Sequence, residues 1–319
     1  MLIMRSDGWL GVELRHLAAL QAVAEEGSFG RAAERLGYTQ SAVSQQIQAL
    51  ERVVGQRLVE RPGGPRRVSL TEAGELLLRH AAGIVARLQA AQADLAAFTE
   101  GSVGTLRVGT FQSVGARVLP RLLRTFTETW PDVAVQLTEA ADDGALLDAV
   151  ERGELDFTFV MLPAEEGPFE SIELMRDPYV VVLPTDSPLA GRPKPPSLRE
   201  VAAMPLIGNR QCRSVHQIEN RFHDAGLEPR IVFRSDDNGT IQELVAAGVG
   251  AALVPLLTVD LNHDGTVVIG LESVPPRRIG LAWHRDRYRS PAARAFVDLA
   301  AEVCARVETD LMGEAAAAA

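Results

Sequence analysis

The chain has 319 residues, enough for roughly two or three domains, and its 46% hydrophobic content supports a globular core. No stretch approaches the roughly 20 apolar residues that span a bilayer, and residues 1–11 lack the apolar segment of a signal peptide, so we expect a cytoplasmic protein without a membrane partner. The net charge of −10 argues against nucleic-acid binding by the whole chain, but nine arginines against seven acids make residues 1–70 mildly basic.

The N-terminal region predicts three short helices. Leucines on one side indicate a helix over 13–25. A second helix over 31–36 ends at Gly37, which can cap it in the left-handed conformation. Thr39 can cap a third helix that reaches about Val54.

The third helix has two different faces, and a hairpin follows it. One face is apolar and carries Val43, Ile47, Leu50 and Val54. The other face is polar and uncharged and carries Ser41, Ser44, Gln45 and Gln48. Two β-prone runs, 57–61 and 66–70, flank a Pro/Gly turn and predict a β-hairpin. Three helices and a hairpin form a winged helix-turn-helix, which we expect over residues 12–70.

A long helix is expected from residue 71 to about residue 98, within a linker region of residues 71–100. Apolar residues recur along it with a heptad spacing: Leu77, Ala81, Ile84, Leu88, Ala91, Leu95 and Phe98. A stripe of this kind is typical of a coiled-coil seam and predicts a dimer. The alternative is that the helix lies on its own domain.

The remainder, residues 104–310, alternates strand and helix patterns. Strands are expected at 105–109, 133–137 and 155–160, with helices over 113–127 and 142–151 between them. Such alternation is typical of an α/β domain with mostly parallel sheets.

The most specific segment runs from Ala32 to Gly55. The small Ala33 lets two helices approach closely, Gly37 makes the turn, and the polar face of the third helix is free to enter a major groove, where glutamine can bind adenine. This segment resembles the LysR-type transcriptional regulators, and the resemblance covers residues 12 to about 310. The alternative is a three-helix core without a role in DNA binding.

The resemblance implies DNA contacts from the recognition helix and the wing. The candidate DNA-binding residues are Arg31, Thr39, Gln40, Ser41, Ser44, Gln45, Gln48, Arg61, Arg66 and Arg67. Many family members have proline at the position of Ser41 and arginine at that of Gln45, which leaves the base preference open. The wing arginines would hold phosphates, although any one of them can instead be a solvated surface charge.

The resemblance also implies a two-lobed α/β sensor similar to the periplasmic binding proteins (type 2), with a ligand cleft between the lobes. Lobe one would comprise residues 104–162 and 276–310, and lobe two residues 163–275.

Three expected helix starts, near Ser113, Ser214 and Asn238, would point towards this cleft and favour an anionic small molecule. The candidate effector-binding residues are Thr110, Gln112, Ser113, Arg210, Cys212, Arg213 and Asn238. The alternative is that both arginines pair with local acids such as Glu219 and leave an apolar pocket. Asp236 and Asp237 also temper the charge argument.

Other chemistries lack their signatures. Gly248 and Gly250 follow a helix and lack the third glycine of a dinucleotide fingerprint, and two histidines seven residues apart do not match helical metal ligands. The single lysine, Lys194, argues against Schiff-base or Walker-type chemistry. We therefore expect no catalytic residue, no metal and no cofactor. Cys212 lies near the position of the reactive cysteine of the family's peroxide sensors, but Arg221 stands where their partner cysteine lies, which favours an ordinary cysteine in the cleft wall.

These patterns together predict a LysR-type regulator and not an enzyme. We expect a homodimer through residues 71–98, assembled further into a homotetramer, that binds inverted-repeat DNA and responds to an effector. RNA polymerase is a further candidate partner. Two rivals remain: a solute-binding protein, which the DNA-binding head disfavours, and an α/β enzyme fused to such a head, which would need a catalytic constellation.

Overall fold

The computed structural model describes residues 9, 11–60, 67–100, 104–192, 194–210, 213–271 and 273–318. Residue contacts divide the chain into two compact units, residues 1–93 and 94–319. In the part of the chain that is described, no helix is long and apolar enough to cross a membrane.

The first unit packs three helices around a small apolar core. They are α1 (Leu14–Glu26), α2 (Phe29–Leu36) and α3 (Gln40–Val54). Val43, Ile47 and Leu50 of α3 are fully buried, which confirms the expected apolar face. Gly37 follows α2 with a φ of 69°, a left-handed conformation that a side chain would strain, and it thereby lets the chain turn into α3.

A hairpin and a long helix complete this unit. Strands β1 (Val59–Glu60) and β2 (Ser69–Leu70) pair antiparallel as the base of the expected wing, while residues 61–66 at its tip lie outside the described residues. Helix α4 (Glu72–Glu100) follows at once. It begins close to the wing, because a Cβ at Gly74 would lie 2.0 Å from the carbonyl oxygen of Leu58.

The apolar stripe of α4 divides into two parts. Leu77 and Ala81 are buried in the core of the first unit. Ile84, Leu88 and Leu95 are instead 50%, 52% and 68% exposed. The start of the helix therefore packs on its own domain, whereas Ile84, Leu88 and Leu95 of the later stripe are exposed.

The second unit has two lobes, and lobe one contains a five-stranded mixed sheet. Its strands are β3 (Gly104–Thr110), β4 (Val133–Glu139), β5 (Phe157–Leu162), β6 (Phe169–Asp177) and β12 (Arg277–His284). They lie in the order β4-β3-β5-β12-β6. Its helices are α5 (Gln112–Arg117), α6 (Leu119–Thr129), α7 (Asp143–Arg152) and α11 (Pro291–Ala318). The expected helix over 113–127 is divided at Val118, because Pro120 lacks an N–H group and fits the first turn of a new helix.

Lobe two contains a three-stranded antiparallel sheet and a parallel strand pair. The sheet consists of β7 (Tyr179–Pro184), β10 (Ala252–Pro255) and β11 (Thr266–Gly270), in the order β10-β7-β11. The pair consists of β8 (Pro205–Asn209) and β9 (Arg230–Ser235). Its helices are α8 (Leu198–Ala202), α9 (Arg213–Asp224) and α10 (Asn238–Ala246). The expectation of mostly parallel sheets therefore needs a correction: the sheet of lobe one is mixed, and the larger sheet of lobe two is antiparallel.

The expected boundary between the lobes needs a correction. Residues 169–177 were assigned to lobe two, but β6 pairs along its length with β12 in the sheet of lobe one. The chain therefore crosses between the lobes after Asp177 and returns just before Arg277. These two residues lie opposite each other in the antiparallel pairing of β6 and β12.

Candidate functional sites

The recognition helix α3 presents the predicted polar face to solvent. Thr39 caps the helix, since its hydroxyl accepts from the N–H of Ala42 at 3.2 Å. Gln40, Gln45 and Gln48 are exposed, as is Ser41, while Ser44 is half-buried. Because the opposite face is locked into the core, this polar face is held in one orientation towards solvent.

Two arginines of α2 already have acidic partners. Arg31, a predicted DNA contact, donates to the carbonyl oxygen of Glu26 and lies 3.7 Å from its carboxylate. Arg35 pairs with Glu25 and Glu26. Exposed ion pairs of this kind are weak because solvent screens them.

The described base of the wing contains one of the arginines predicted to bind phosphate. Arg67 is exposed, and a methyl group at Gly27 would lie 3.5 Å from its Cδ, so the aliphatic stem packs beside the end of α1. The N–H of Val68 donates to the carbonyl oxygen of Gly27 at 3.0 Å. Arg61 and Arg66 lie outside the described residues.

The short helix α5 joins lobe one to lobe two. The side-chain amide of Gln112 donates to Asp237 Oδ2 at 2.9 Å and accepts from the N–H of Asn238 at 3.0 Å. At the other end of α5, Arg117 donates to the carbonyl oxygen of Val259 at 2.6 Å. Polar groups of α5 thus bind directly to lobe two, including the first N–H of α10.

Asp237 caps α10 and brings a negative charge to its N-terminus. The N–H of Thr240, its hydroxyl and the amide of Gln112 hold the pKa of the Asp237 carboxyl below its usual value. The N-terminus of α10 is therefore partly neutralised by its own chain, which reduces the positive field expected there.

A buried ion pair lies where the chain crosses between the lobes. Asp177 and Arg277 are 1% and 5% exposed, with 2.7 Å between Oδ2 and the nearest guanidinium nitrogen. Arg277 also donates to the Ser113 hydroxyl at 2.8 Å, and Asp177 Oδ1 accepts from the N–H of Leu257 at 2.9 Å. Burial raises the pKa of the Asp177 carboxyl, while Arg277 and the N–H of Leu257 act in the opposite direction. Sequence reasoning missed this pair.

The alternative in which Arg210 and Arg213 pair with local acids such as Glu219 falls partly outside the described residues. Glu219 pairs with Arg234, which also donates to the carbonyl oxygen of Asn209 at 3.0 Å. The side chain of Arg210 is exposed and has no acidic partner among the described residues.

Two family models match the chain. The model described as the bacterial regulatory helix-turn-helix protein, lysR family, covers residues 14–75, and the model of the LysR substrate binding domain covers residues 99–305. The chain belongs to the LysR family of transcriptional regulators. It is therefore a DNA-binding regulator with an effector-binding domain, and not an enzyme.

Relatives and solved structures resemble this LysR regulator over both units. It is 33% identical over 296 residues to the uncharacterized regulator YnfL of Escherichia coli (strain K12), covering 90% of this chain and 97% of YnfL. It is 32% identical over 297 residues to IlvR of Caulobacter vibrioides, and the alignment covers 91% of this chain and 98% of IlvR. Full-length CbnR in complex with its target DNA aligns with a TM-score of 0.65, 25% identity and coverage of 92% and 100%. A C206 mutant of OxyR from Corynebacterium glutamicum aligns with a TM-score of 0.61 and 27% identity, and the alignment covers 94% of each chain.

The sensor of this LysR regulator brings several predicted effector residues together across the lobes. Gln112 contacts Asn238 directly, and Ser113 is buried one residue farther along α5. Thr110 is buried at the end of β3, where its hydroxyl donates to the carbonyl oxygen of Phe111 at 3.3 Å. Cys212 and the side chain of Arg213 lie outside the described residues.

Proposed function

We propose that this regulator binds an inverted-repeat operator in the cytoplasm as a homodimer or homotetramer, and changes its DNA contacts when an anionic small molecule enters the interlobe cleft. The observation that carries the proposal is the uncharged, exposed face of α3 opposite a fully buried face. RNA polymerase is the partner that activation would require. A gel shift with the promoter region of its own or the neighbouring gene tests the proposal, with a random duplex of equal length as the control.

The recognition helix and the wing have different tasks in this proposal. Gln40, Ser41, Ser44, Gln45 and Gln48, with the cap residue Thr39, carry donors and acceptors without charge, which suits base edges and nearby phosphate oxygens. Arginines supply the sequence-independent attraction to the backbone. They are Arg31 in α2 and Arg61, Arg66 and Arg67 in the wing.

Gln45→Ala should weaken operator binding by about 1–3 kcal/mol and leave binding to random DNA nearly unchanged. Arg67→Ala should weaken binding to both and lower the salt slope by about one. Gln56→Ala, which removes an exposed glutamine just beyond α3, is the matched control. Fluorescence anisotropy over a range of salt concentrations measures the DNA affinity of all three variants. If Gln45→Ala loses as much affinity for random DNA as for the operator, this division of tasks is contradicted.

The exposed part of the α4 stripe is the proposed dimer seam. Ile84, Leu88 and Leu95 leave apolar surface in water that a second copy would cover. Burying an aliphatic side chain of this size contributes about 1.5–3 kcal/mol, so several such residues from each copy can hold a dimer. Leu77 and Ala81 serve the head of their own chain instead.

Ile84→Asp combined with Leu88→Asp should separate the dimer, because the seam would then bury carboxylates without partners. Arg79→Asp changes an exposed residue of the same helix outside the stripe and is the control. Sedimentation at micromolar concentration should show monomers for the double variant and dimers for the control. A persistent dimer with unchanged operator affinity would place the seam elsewhere.

The effector site is proposed to lie at the junction of α5 with the ends of β8 and β9. Thr110, Gln112, Ser113 and Asn238 supply hydrogen bonds, and the exposed Arg210 supplies positive charge. Cys212 and Arg213 complete the proposed set. Asp237 opposes an anion here, so the preference depends on how the cationic groups are placed.

Gln112 gives this site a means of transmitting binding. Its amide connects the lobes through Asp237 and Asn238, so a ligand that enters between them must replace or preserve these bonds. A ligand with different affinities for the connected and the separated arrangement shifts the population between them. In a dimer, that shift would change the distance between the two DNA-binding heads.

Gln112→Glu should loosen the contact between the lobes, since its carboxylate would face that of Asp237. The bond that is lost is the one to Asp237, and its loss of about 1 kcal/mol corresponds to roughly fivefold more frequent opening of this contact and faster amide exchange at the start of α10. Gln136→Glu introduces the same charge at an exposed position of β4 and should leave the exchange unchanged. Hydrogen exchange of peptides that cover residues 236–244 measures the difference, and identical rates in both variants would show that Gln112 does not hold the lobes.

A further inference from the structure

The ion pair of Asp177 and Arg277 lies on the strands that cross between the lobes and contacts both lobes. Arg277 Nε donates to Asp177 Oδ2 at 2.7 Å within the crossing strands. The other oxygen of Asp177 accepts from the N–H of Leu257 in lobe two, and the guanidinium donates to Ser113 on α5 of lobe one. A continuous chain of hydrogen bonds therefore runs from the backbone of lobe two to a hydroxyl at the proposed effector site.

Several contacts hold the guanidinium of Arg277 in place. Asp177 accepts from Nε, its Oδ2 also lies 2.7 Å from a terminal nitrogen of Arg277, and the guanidinium carbon lies 5.5 Å from the centre of the Phe111 ring. The next residue of the same strand, Arg278, is exposed and pairs with Glu173. Of the two adjacent arginines, only Arg277 is directed to the cleft residue Ser113.

Ser113 is left with one hydrogen to donate. Its side chain is 96% buried, and its oxygen accepts from the cationic Arg277. The hydroxyl hydrogen has no acceptor among the residues that the structure describes. A hydroxyl that accepts from a cation is polarised and becomes a stronger donor to the next group along the chain of hydrogen bonds.

We propose that Arg277, held by Asp177, is a positioning residue that determines the specificity of the effector site, because it makes Ser113 a donor for a carboxylate of the effector. The inference rests on the proposed function, since it takes the effector site to contain Ser113. Arg277 acts through Ser113 and does not itself contact the ligand. The class of effector it selects is a small carboxylic acid in its ionised form, over the neutral amide of the same shape.

A carboxylate gains more than an amide from this arrangement for two reasons. A hydrogen bond to an ionised acceptor is stronger than one to a neutral carbonyl. An amide also carries N–H groups that need acceptors, and Ser113 offers its hydrogen rather than an acceptor position.

The test compares acids with their amides on the full-length protein. Thermal-shift titrations use acetate with acetamide and benzoate with benzamide as probes. Asp177→Asn combined with Arg277→Gln removes both charges but keeps hydrogen-bonding side chains of similar shape. Glu173→Gln combined with Arg278→Gln removes the neighbouring pair on the same two strands and is the matched control. Ser113→Ala and Arg277→Lys complete the set.

Wild type and the control pair should bind the acids about tenfold more tightly than the amides. The Asp177→Asn/Arg277→Gln variant should bind acids and amides alike. Arg277→Lys keeps the positive charge and should therefore keep part of the preference for acids. A purely structural role of the pair would weaken acids and amides together and leave their ratio unchanged. Suppose that Ser113→Ala loses acid binding while the Asp177→Asn/Arg277→Gln variant keeps the wild-type ratio of acid to amide affinity. That result would overturn the role of Arg277 but leave the proposed effector site in place. Acid binding that Ser113→Ala does not change, or no preference for acids in wild type, would overturn both the inference and the proposed effector site.

Discussion

Two opposite charges, Asp177 and Arg277, lie buried where the chain crosses between the lobes of the sensor, and burying charges is tolerated only where each has its partners. Here the partners come from different parts of the unit: Ser113 from lobe one and the N–H of Leu257 from lobe two. A movement of either lobe must therefore keep these bonds or leave a buried N–H group or carboxylate oxygen of the pair without its outer partner. In the proposed effector site, this requirement would connect a ligand at Ser113 to the relative position of the lobes.

Much of the head could be predicted because its structure is local. A helical period, the cap at Thr39 and the turn at Gly37 are properties of neighbouring residues, and the structure has all three. The stripe of α4 was harder to interpret. A heptad pattern identifies residues that share a face but does not say what covers them, so it could not show that Leu77 packs on its own domain while Leu88 stays exposed.

The contacts that define the sensor were not predictable because they are long-range. Asp177 and Arg277 are 100 positions apart, and nothing in the adjacent arginines 277 and 278 tells which one is buried until the face of β12 is known. The same applies to β6, whose half-exposed pattern does not reveal the sheet it joins. The three helix starts around the cleft were predicted within one residue, but the bond from Gln112 to Asp237 depends on the closeness of two lobes.

A double-mutant cycle on the ion pair tests the central constraint most directly. Denaturant unfolding of Asp177→Asn, Arg277→Gln and the combined variant can be followed by the fluorescence of Trp130 and Trp283, which lie in the sensor. Each single substitution should cost about 3–5 kcal/mol by leaving a buried charge unpaired, and the double variant should cost clearly less than their sum, with a coupling of about 2 kcal/mol or more. Small, additive losses would contradict the account, because the lobes would then not depend on this pair.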